Sequence, residues 1–325
     1  MPTTLKEFAA AAQQVLSKTQ NLSHLEIQRV ELLRGIKAPR ELYVLGKVSR
    51  GCFSIPASST TVASPAKIKN DVGKTFTHLT KLIELIAHSK IKSLMIFGPP
   101  GTGKTHVTFE TLTNAKLVKN EDYVVIKGRI TPISLYMNLF LLRDDKLIVF
   151  DDCDAVFESQ QSVNYLKAAL DSYEERRISW FSPFHTVNVS TMSNAEKETF
   201  YQDVEEKLRT DPGNMKIKYP SEFPLTSRVI FISNNLAKEI DPAIMSRSHK
   251  INVTLTTEEL FYRIESVLPH IDSGLSTPKK LEVLKRLKTM TANGEIFEPS
   301  FRTFISACDL VKSKVKNWEE FLEYC

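Results

Sequence analysis

The chain has 325 residues, 42% of them hydrophobic, enough for one large or two modest domains with a real core, and it reads as a soluble globular protein. Its apolar runs fall far short of the roughly 18 residues of a membrane span. The start, MPTTLKEFAAAAQQVL, lacks the basic end and sustained apolar core of a secretory signal, and Cys52, Cys153, Cys308 and Cys325 have no metal-ligand spacing, so a cytoplasmic protein with reduced thiols and no membrane partner is expected. Net charge is +5, and residues 1–75 hold eleven Lys or Arg against five Asp or Glu. That N-terminal excess fits either a solvated surface or a footprint for nucleic acid or an acidic partner.

In chain order, Leu5, Phe8, Ala9, Ala12, Val15 and Leu16 follow helical spacing, and HLEIQRVELLRGI gives a second helical stretch. GCFSIPASSTTVASPAK is rich in Ser, Thr, Ala and Pro without a helical period, which marks a connection or extended arm and places a boundary near residue 72. From Phe76 to about Lys90 the spacing of Leu79, Leu82, Ile83 and Ile86 predicts an amphipathic helix, and SLMIF a short strand. A helix, the strand YVVI, the helix PISLYMNLFLL, the strand LIVF, the helix VNYLKAALDSY and the strand RVIFIS follow. This alternation predicts an α/β fold, a parallel sheet flanked by helices. Between Trp180 and Thr226 lies an irregular polar insertion with a short helix around NAEKETFYQDVEEKL and a turn at DPGN. Beyond residue 255 the pattern is helical, the first helix opened by Thr256 with Glu259 and the last by Asn317 with Glu320. The expected organisation is a helical, basic extension over 1–72, an α/β domain over 73–255 with its insertion at about 180–226, and a helical domain over 256–325.

The stretch LIVFDDCDAVF, residues 147–157, puts carboxylates at the end of a strand that reads as buried on both faces. Open α/β sheets place their ligands at that edge, and such carboxylates need a cation there. The strand SLMIF runs into GPPGTGKTHV, in which Gly98, Gly103, Lys104 and Thr105 satisfy the phosphate-loop pattern G-x-x-x-x-G-K-[ST]. Gly98, Pro99, Pro100, Gly101, Thr102, Gly103, Lys104, Thr105 and His106 form a candidate anion cradle, in which glycine permits close approach of a phosphate. Lys104 is placed to reach the β and γ phosphates and Thr105 to offer a hydroxyl to Mg²⁺. Asp151 then holds Mg²⁺, usually through its water shell, and Asp152 polarises the attacking water, while Asp154 reads as the start of the next helix.

Over roughly residues 76–325 these motifs resemble those of the AAA+ ATPases. GPPGTGKT is similar to their Walker A motif, LIVFDD to Walker B, YLKAALDS to the helix after it, and VIFISNN to the sensor 1 strand. The resemblance implies Asn234 as the sensor residue, with Asn235 second. EIDPAIMSRS is similar to the segment that carries an arginine finger, implying that Arg247 reaches a nucleotide bound by a neighbouring subunit. PSFRTFISA resembles the sensor 2 segment, implying that Arg302 is a lid arginine on its own subunit's nucleotide. Without the resemblance, Asn234 fits a turn former, and Arg247 and Arg302 fit solvated surface residues. Arg176 and Arg177 are further candidates for a contact across subunits, though a charged helix end is the simpler account. FDDCD, LKAALD, FISNN and SRS are also similar in texture to AAA+ ATPases encoded by tailed bacteriophages, which would place the chain in the host cytoplasm.

Two departures from the family pattern matter. The second Walker B carboxylate is usually Glu and here is Asp152, one methylene shorter, so hydrolysis requires an adjusted backbone or is slow. The stretch KGRITPISLY lacks the aromatic, aliphatic and glycine of a protein-threading pore loop, and Tyr136 fits the buried side of a helix. The resemblance implies ATP and Mg²⁺ as ligands, a homo-oligomeric ring, most often a hexamer, and remodelling of a protein or protein–nucleic acid complex. The alternatives are a DNA-associated loader or helper of replication or transposition, and a nucleotide-binding switch with little turnover.

Overall fold

The computed structural model describes residues 22–23, 47–49, 52–53 and 65–324, other than 174, 212, 213, 215, 235–239 and 297. The chain divides into two compact units, Met1–Ser64 and Pro65–Cys325. In the first, strands β1 (Leu22–Ser23), β2 (Lys47–Ser49) and β3 (Cys52–Phe53) form an antiparallel sheet in the order β1-β3-β2, with Leu22 and Lys47 both opposite Phe53. β3 lies in the stretch expected to be a connection. The two helices predicted upstream fall outside the described residues, so what is described of this extension is strand.

The second unit opens with α1 (Pro65–Ala87), which begins earlier than predicted and runs across residue 72. Proline suits a first helical turn, a role that its Ser- and Pro-rich surroundings conceal. Then come β4 (Ser93–Phe97), α2 (Lys104–Asn114), β5 (Tyr123–Lys127), α3 (Pro132–Leu141) and β6 (Leu147–Asp151). A 3-10 turn at Asp154–Phe157 leads to α4 (Gln160–Ala169). The next segment holds β7 (Arg176–Ser179), β8 (Thr186–Val187), α5 (Asn194–Thr210), β9 (Tyr219–Pro220) and β10 (Glu222–Leu225). β11 (Arg228–Ser233), α6 (Pro242–Arg247) and β12 (His249–Asn252) complete the α/β part.

Strands β12-β4-β11-β6-β5 form one parallel sheet in that order. Alternation along each strand sends Leu94, Ile96, Val149, Ile230 and Ile232 to one face, against Phe76, Leu79 and Ile83 of α1 and Val107 and Leu112 of α2. It sends Met95, Phe97, Ile148, Phe150, Val229 and Phe231 to the other, against Leu135, Leu139 and Phe140 of α3 and Leu166 of α4. Both faces are covered, which is why the central strands read as unbroken apolar runs. The predicted α/β sheet is the fold observed, with one added strand. β12 is an edge strand of sequence HKIN, mostly exposed, and it is held by its register with β4 rather than by apolar burial.

The insertion is more ordered than an irregular polar stretch. β7 and β10 pair antiparallel, and β8 and β9 pair parallel. α5 starts at a capping box, the Ser193 hydroxyl receiving the Glu196 N–H and the Glu196 carboxylate the Ser193 N–H, and it buries Tyr201, Val204 and Leu208. The central residues of the turn predicted at DPGN lie outside the described residues; of its two ends, the Asn214 N–H donates to the Asp211 carbonyl. Tyr136 is fully buried, as expected, and its hydroxyl donates to the Pro220 carbonyl.

The predicted helical tail comprises α7 (Thr257–Val267), α8 (Thr277–Ala292) and α9 (Phe301–Lys312) around their own core of Leu260, Ile264, Leu284, Leu287, Phe304 and Ala307. The capping box of Thr256 with Glu259 is formed. The last predicted helix is a 3-10 segment, Trp318–Tyr324.

Candidate functional site

The carboxyl ends of β4, β11 and β6 lie side by side because β11 inserts between the other two. Each end carries one part of the site. From β4 the chain enters the loop through Gly98, at φ 142°, where an added Cβ would stand 2.4 Å from the Val253 carbonyl oxygen just beyond β12. Gly103 precedes α2 at φ 91° and gives it no side-chain cap, so the amides of the helix's first turn stay available to a ligand.

Lys104 is 4% exposed. Its Nζ donates to the carbonyls of Gly98 (2.7 Å) and Pro99 (2.7 Å) and to Asn234 Oδ1 (3.1 Å). Burial pushes this ammonium down to about 8, opposed by the carboxylates of Asp152, Asp151 and Asp154. The Thr105 hydroxyl donates to Asp151 Oδ1 (3.0 Å), and the other oxygen of Asp151 pairs with Lys127 Nζ at 2.6 Å.

Asp152 stands at φ 57°, a left-handed conformation that sequence reading did not anticipate and that Asp tolerates better than most residues. The turn brings its Oδ1 to 2.6 Å from Asn234 Nδ2. Asn234 thus bridges Lys104 and Asp152 through the two ends of one amide, while its own N–H donates to Asp154 Oδ2 (3.3 Å). Asp154 opens the 3-10 turn before α4, and α4 itself is capped by Ser159. Asn235 lies outside the described residues.

A cavity of about 150 Å³ is lined by residues 100–106 of the loop, Asp152, Asn234, Phe301 and Arg302. Gly98 and Pro99 serve the site through the carbonyls that hold Lys104. Asp151 lies behind Thr105, with its side chain 1% exposed. Arg302 arrives from the first turn of α9, whose start rests on the loop: the Phe301 N–H donates to the Gly101 carbonyl (2.9 Å). A Cβ on Gly101 would meet Ser300 Cβ at 2.6 Å.

Arg247 is not in this cavity. It ends α6, half-exposed, with Nη1 donating to the Ala243 carbonyl (2.8 Å) and Nε 3.6 Å from Asp171 Oδ2. Arg176 is buried, its guanidinium spent on the carbonyls of Ala169 and Ser227, so it serves the fold; Arg177 is exposed, 3.8 Å from Glu222.

A second cavity, about 470 Å³, adjoins the first and shares Thr102, Gly103, His106 and Phe301 with it. Its far wall is Phe76 of α1 and Arg263, Val267, His270 and Ile271 of the helical tail. The Arg263 guanidinium lies 4.1 Å from the centre of the Phe76 ring. Sequence reading missed this wall because its two sides come from segments nearly 190 residues apart, and no local pattern marks them.

Among the described residues no group of three or more His, Cys, Asp or Glu is arranged to hold a metal ion by itself. Thr105 and Asp151 together offer hard oxygen donors beside the anion cradle, which suits Mg²⁺ shared with phosphate oxygens rather than caged by protein. No helix of the described residues is long and apolar enough to cross a membrane.

No protein-family model matches the chain. It is 29% identical over 270 residues, 78% of its own length and 74% of the relative's, to an uncharacterized 36.7 kDa protein of the nrdC–mobD intergenic region of Enterobacteria phage T4. Similar solved structures include the FIGL-1 AAA domain in complex with ADP, at 14% identity and a TM-score of 0.34, covering 79% of this chain and 73% of that one. A DNA polymerase III gamma subunit-related protein of Thermotoga maritima is similar at 18% identity and a TM-score of 0.35, with 76% of this chain and 75% of that one covered.

Proposed function

We propose that this chain is an AAA+ ATPase that binds ATP with Mg²⁺ and couples its hydrolysis to remodelling of a protein or protein–nucleic acid complex. One observation carries the reading: a single side chain, Asn234, joins the phosphate-loop lysine to the second Walker B carboxylate at the mouth of the anion cradle. A lysine and three carboxylates gathered at one sheet edge, with an arginine on the facing lid, answer the needs of a triphosphate and its metal.

In this reading the triphosphate lies along residues 100–106, and base and ribose extend into the larger cavity between Phe76 and the lid. Lys104 leaves the Gly98 and Pro99 carbonyls to reach the β and γ oxygens. Thr105 and Asp151 would hold Mg²⁺, which when bound neutralises charge on the phosphate oxygens. Asp152, aimed by its left-handed backbone and by Asn234, accepts a proton from the attacking water. Arg302 approaches from the lid of the same subunit. Arg247 exchanges Asp171 for the nucleotide of a neighbour, which makes the working form a homo-oligomeric ring, a hexamer on the family resemblance.

The partner-reading element we propose is the insertion. Its loop after β7 presents Phe181 and Phe184, 66% and 83% exposed, on a turn closed by the His185 and Thr186 amides on the Ser182 carbonyl. Residues 180–193 carry no Lys, Arg, Asp or Glu, which favours a protein client over a nucleic acid backbone at this loop. The basic N-terminal unit keeps DNA as the second reading, selected if DNA stimulates the ATPase with a steep salt dependence. The phage T4 relative supports a phage-encoded protein working in the host cytoplasm.

The test is phosphate release from Mg-ATP by the purified, assembled protein against a Lys104→Ala control. Turnover above that control is expected, and ATP binding without turnover would leave a nucleotide-binding switch.

A further inference from the structure

We propose that Lys127 is a positioning residue of this site, a cation that holds Asp151 in place in the metal-free protein and leaves it when a divalent ion enters. The inference rests on the nucleotide-binding reading above and adds a residue that no phosphate-loop pattern contains. β5 and β6 pair in parallel, with Lys127 directly opposite Asp151 at the carboxyl ends of both strands. Lys127 Nζ lies 2.6 Å from Asp151 Oδ2.

The burial of the two partners is unequal, and that decides which of them moves. The Asp151 side chain is 1% exposed and that of Lys127 is 61% exposed. A carboxylate so enclosed needs a counter-charge, whereas an ammonium at the surface returns to water with little loss. Thr105 already occupies the other carboxylate oxygen, so both oxygens that a divalent ion would face are engaged. A second resting place lies close by: Lys127 Nζ is 6.0 Å from the centre of the Phe109 ring, one turn beyond Thr105 on α2. Metal entry is therefore an exchange of one cation for another at Asp151, and the strength of the lysine pair subtracts from the affinity for the metal.

The experiment titrates Mn²⁺ into the full-length protein with saturating ATP, reading free Mn²⁺ by its electron paramagnetic resonance signal, for the unaltered chain, Lys127→Met and Lys127→Gln. ATP binding in EDTA and thermal unfolding without ligand are measured alongside. For an ion pair with one exposed partner, the variants are expected to bind Mn²⁺ about three- to ten-fold more tightly. They should bind ATP in EDTA as the unaltered chain does, and unfold at a lower temperature when ligand-free. An unchanged or weakened Mn²⁺ midpoint overturns the proposal, as does a loss of ATP affinity in EDTA, which would make Lys127 a phosphate ligand. If the unaltered chain binds no more ATP than Lys104→Ala, the site reading fails and takes this proposal with it. If it binds ATP and Mn²⁺ normally and the Lys127 variants match it, only the role of Lys127 fails.

Discussion

Replacing Asn234 by Ala cuts both hydrogen bonds of the bridge between Lys104 and Asp152, at 3.1 and 2.6 Å. Each joins a neutral amide to a charged partner, a class that contributes about 1.5–3 kcal/mol when shielded. Asn234 and Asp152 are both exposed, so about 1 kcal/mol apiece is the better figure, because water replaces much of what is lost. A deficit of about 2 kcal/mol at the step where Asp152 takes a proton corresponds to a roughly 30-fold fall in kcat. Lys104 itself and the backbone of the cradle, the groups that meet the phosphates, are untouched, so KM should change by less than about threefold. The lost bonds belong to an exposed side chain, and the melting temperature should move by no more than about 3 °C. Asn234→Asp sharpens the case: it retains an acceptor for Lys104 but sets a second carboxylate against Asp152, and kcat should fall further than with Ala. Steady-state phosphate release over a range of ATP concentrations, with thermal unfolding of each variant, gives all three quantities. A kcat for Asn234→Ala within twofold of the unaltered protein, at equal melting temperature, would show that the bridge is incidental to turnover.

The Lys104 ammonium is lowered by burial from 10.5 to about 8. Between those values the unfolded chain holds more protons than the folded one, so this residue's contribution to stability improves as pH rises from 8 toward 10.5. ATP affinity should run the other way, falling by up to about tenfold per pH unit above 8 as the charge needed by phosphate is lost; calorimetric titration from neutral to alkaline pH checks this, and Lys104→Arg should flatten the profile. Arg247→Ala and Lys104→Ala are each expected to lack turnover as pure assemblies, with losses for Arg247 of about 10³-fold or more. Mixed in equal parts, they should regain activity at about one site in four, since an arginine given in trans needs only one intact partner on each side, and a mixture as inactive as its components would refute donation between subunits. Gly101→Ala places a Cβ against Ser300 at a backbone φ of 73°, and a destabilisation of about 1–2 kcal/mol is expected in denaturant unfolding.

Strands β4, β6 and β11 were legible because burial on both faces leaves a contiguous apolar run, β5 because its half-buried edge still reads as the β-branched run YVVI, and the loop from Gly98 to Thr105 because its glycines and lysine sit at fixed spacing. β12 was not legible, since HKIN is an edge whose stability comes from pairing with β4. β7 and β10 were hidden for the same reason: RRIS and EFPL bury only alternate residues. The roles of single side chains depended on register. Lys127 at the end of YVVIK looks like a strand-ending surface lysine until the pairing of β5 with β6 sets it opposite Asp151. The left-handed turn at Asp152 has no signature either, because Asp enters that conformation only when its neighbours, here the Ile232 carbonyl and Asn234, over-determine it.

On the proposed function, three of the site's cations begin with internal partners: Lys104 on its own loop's carbonyls, Lys127 on Asp151 and Arg247 on Asp171. Ligand binding then trades one set of hydrogen bonds and ion pairs for another, and each exchange nets only about 1 kcal/mol. Such near-balance suits a motor better than a rigid clamp would, because a small change in the ligand, from triphosphate to diphosphate, tips several contacts together. The same loop that receives phosphate is hydrogen-bonded through Gly101 to the first residue of α9. On that function, the Gly101–Phe301 hydrogen bond offers a direct route by which occupancy of the cradle would reach Arg302 and the start of α9.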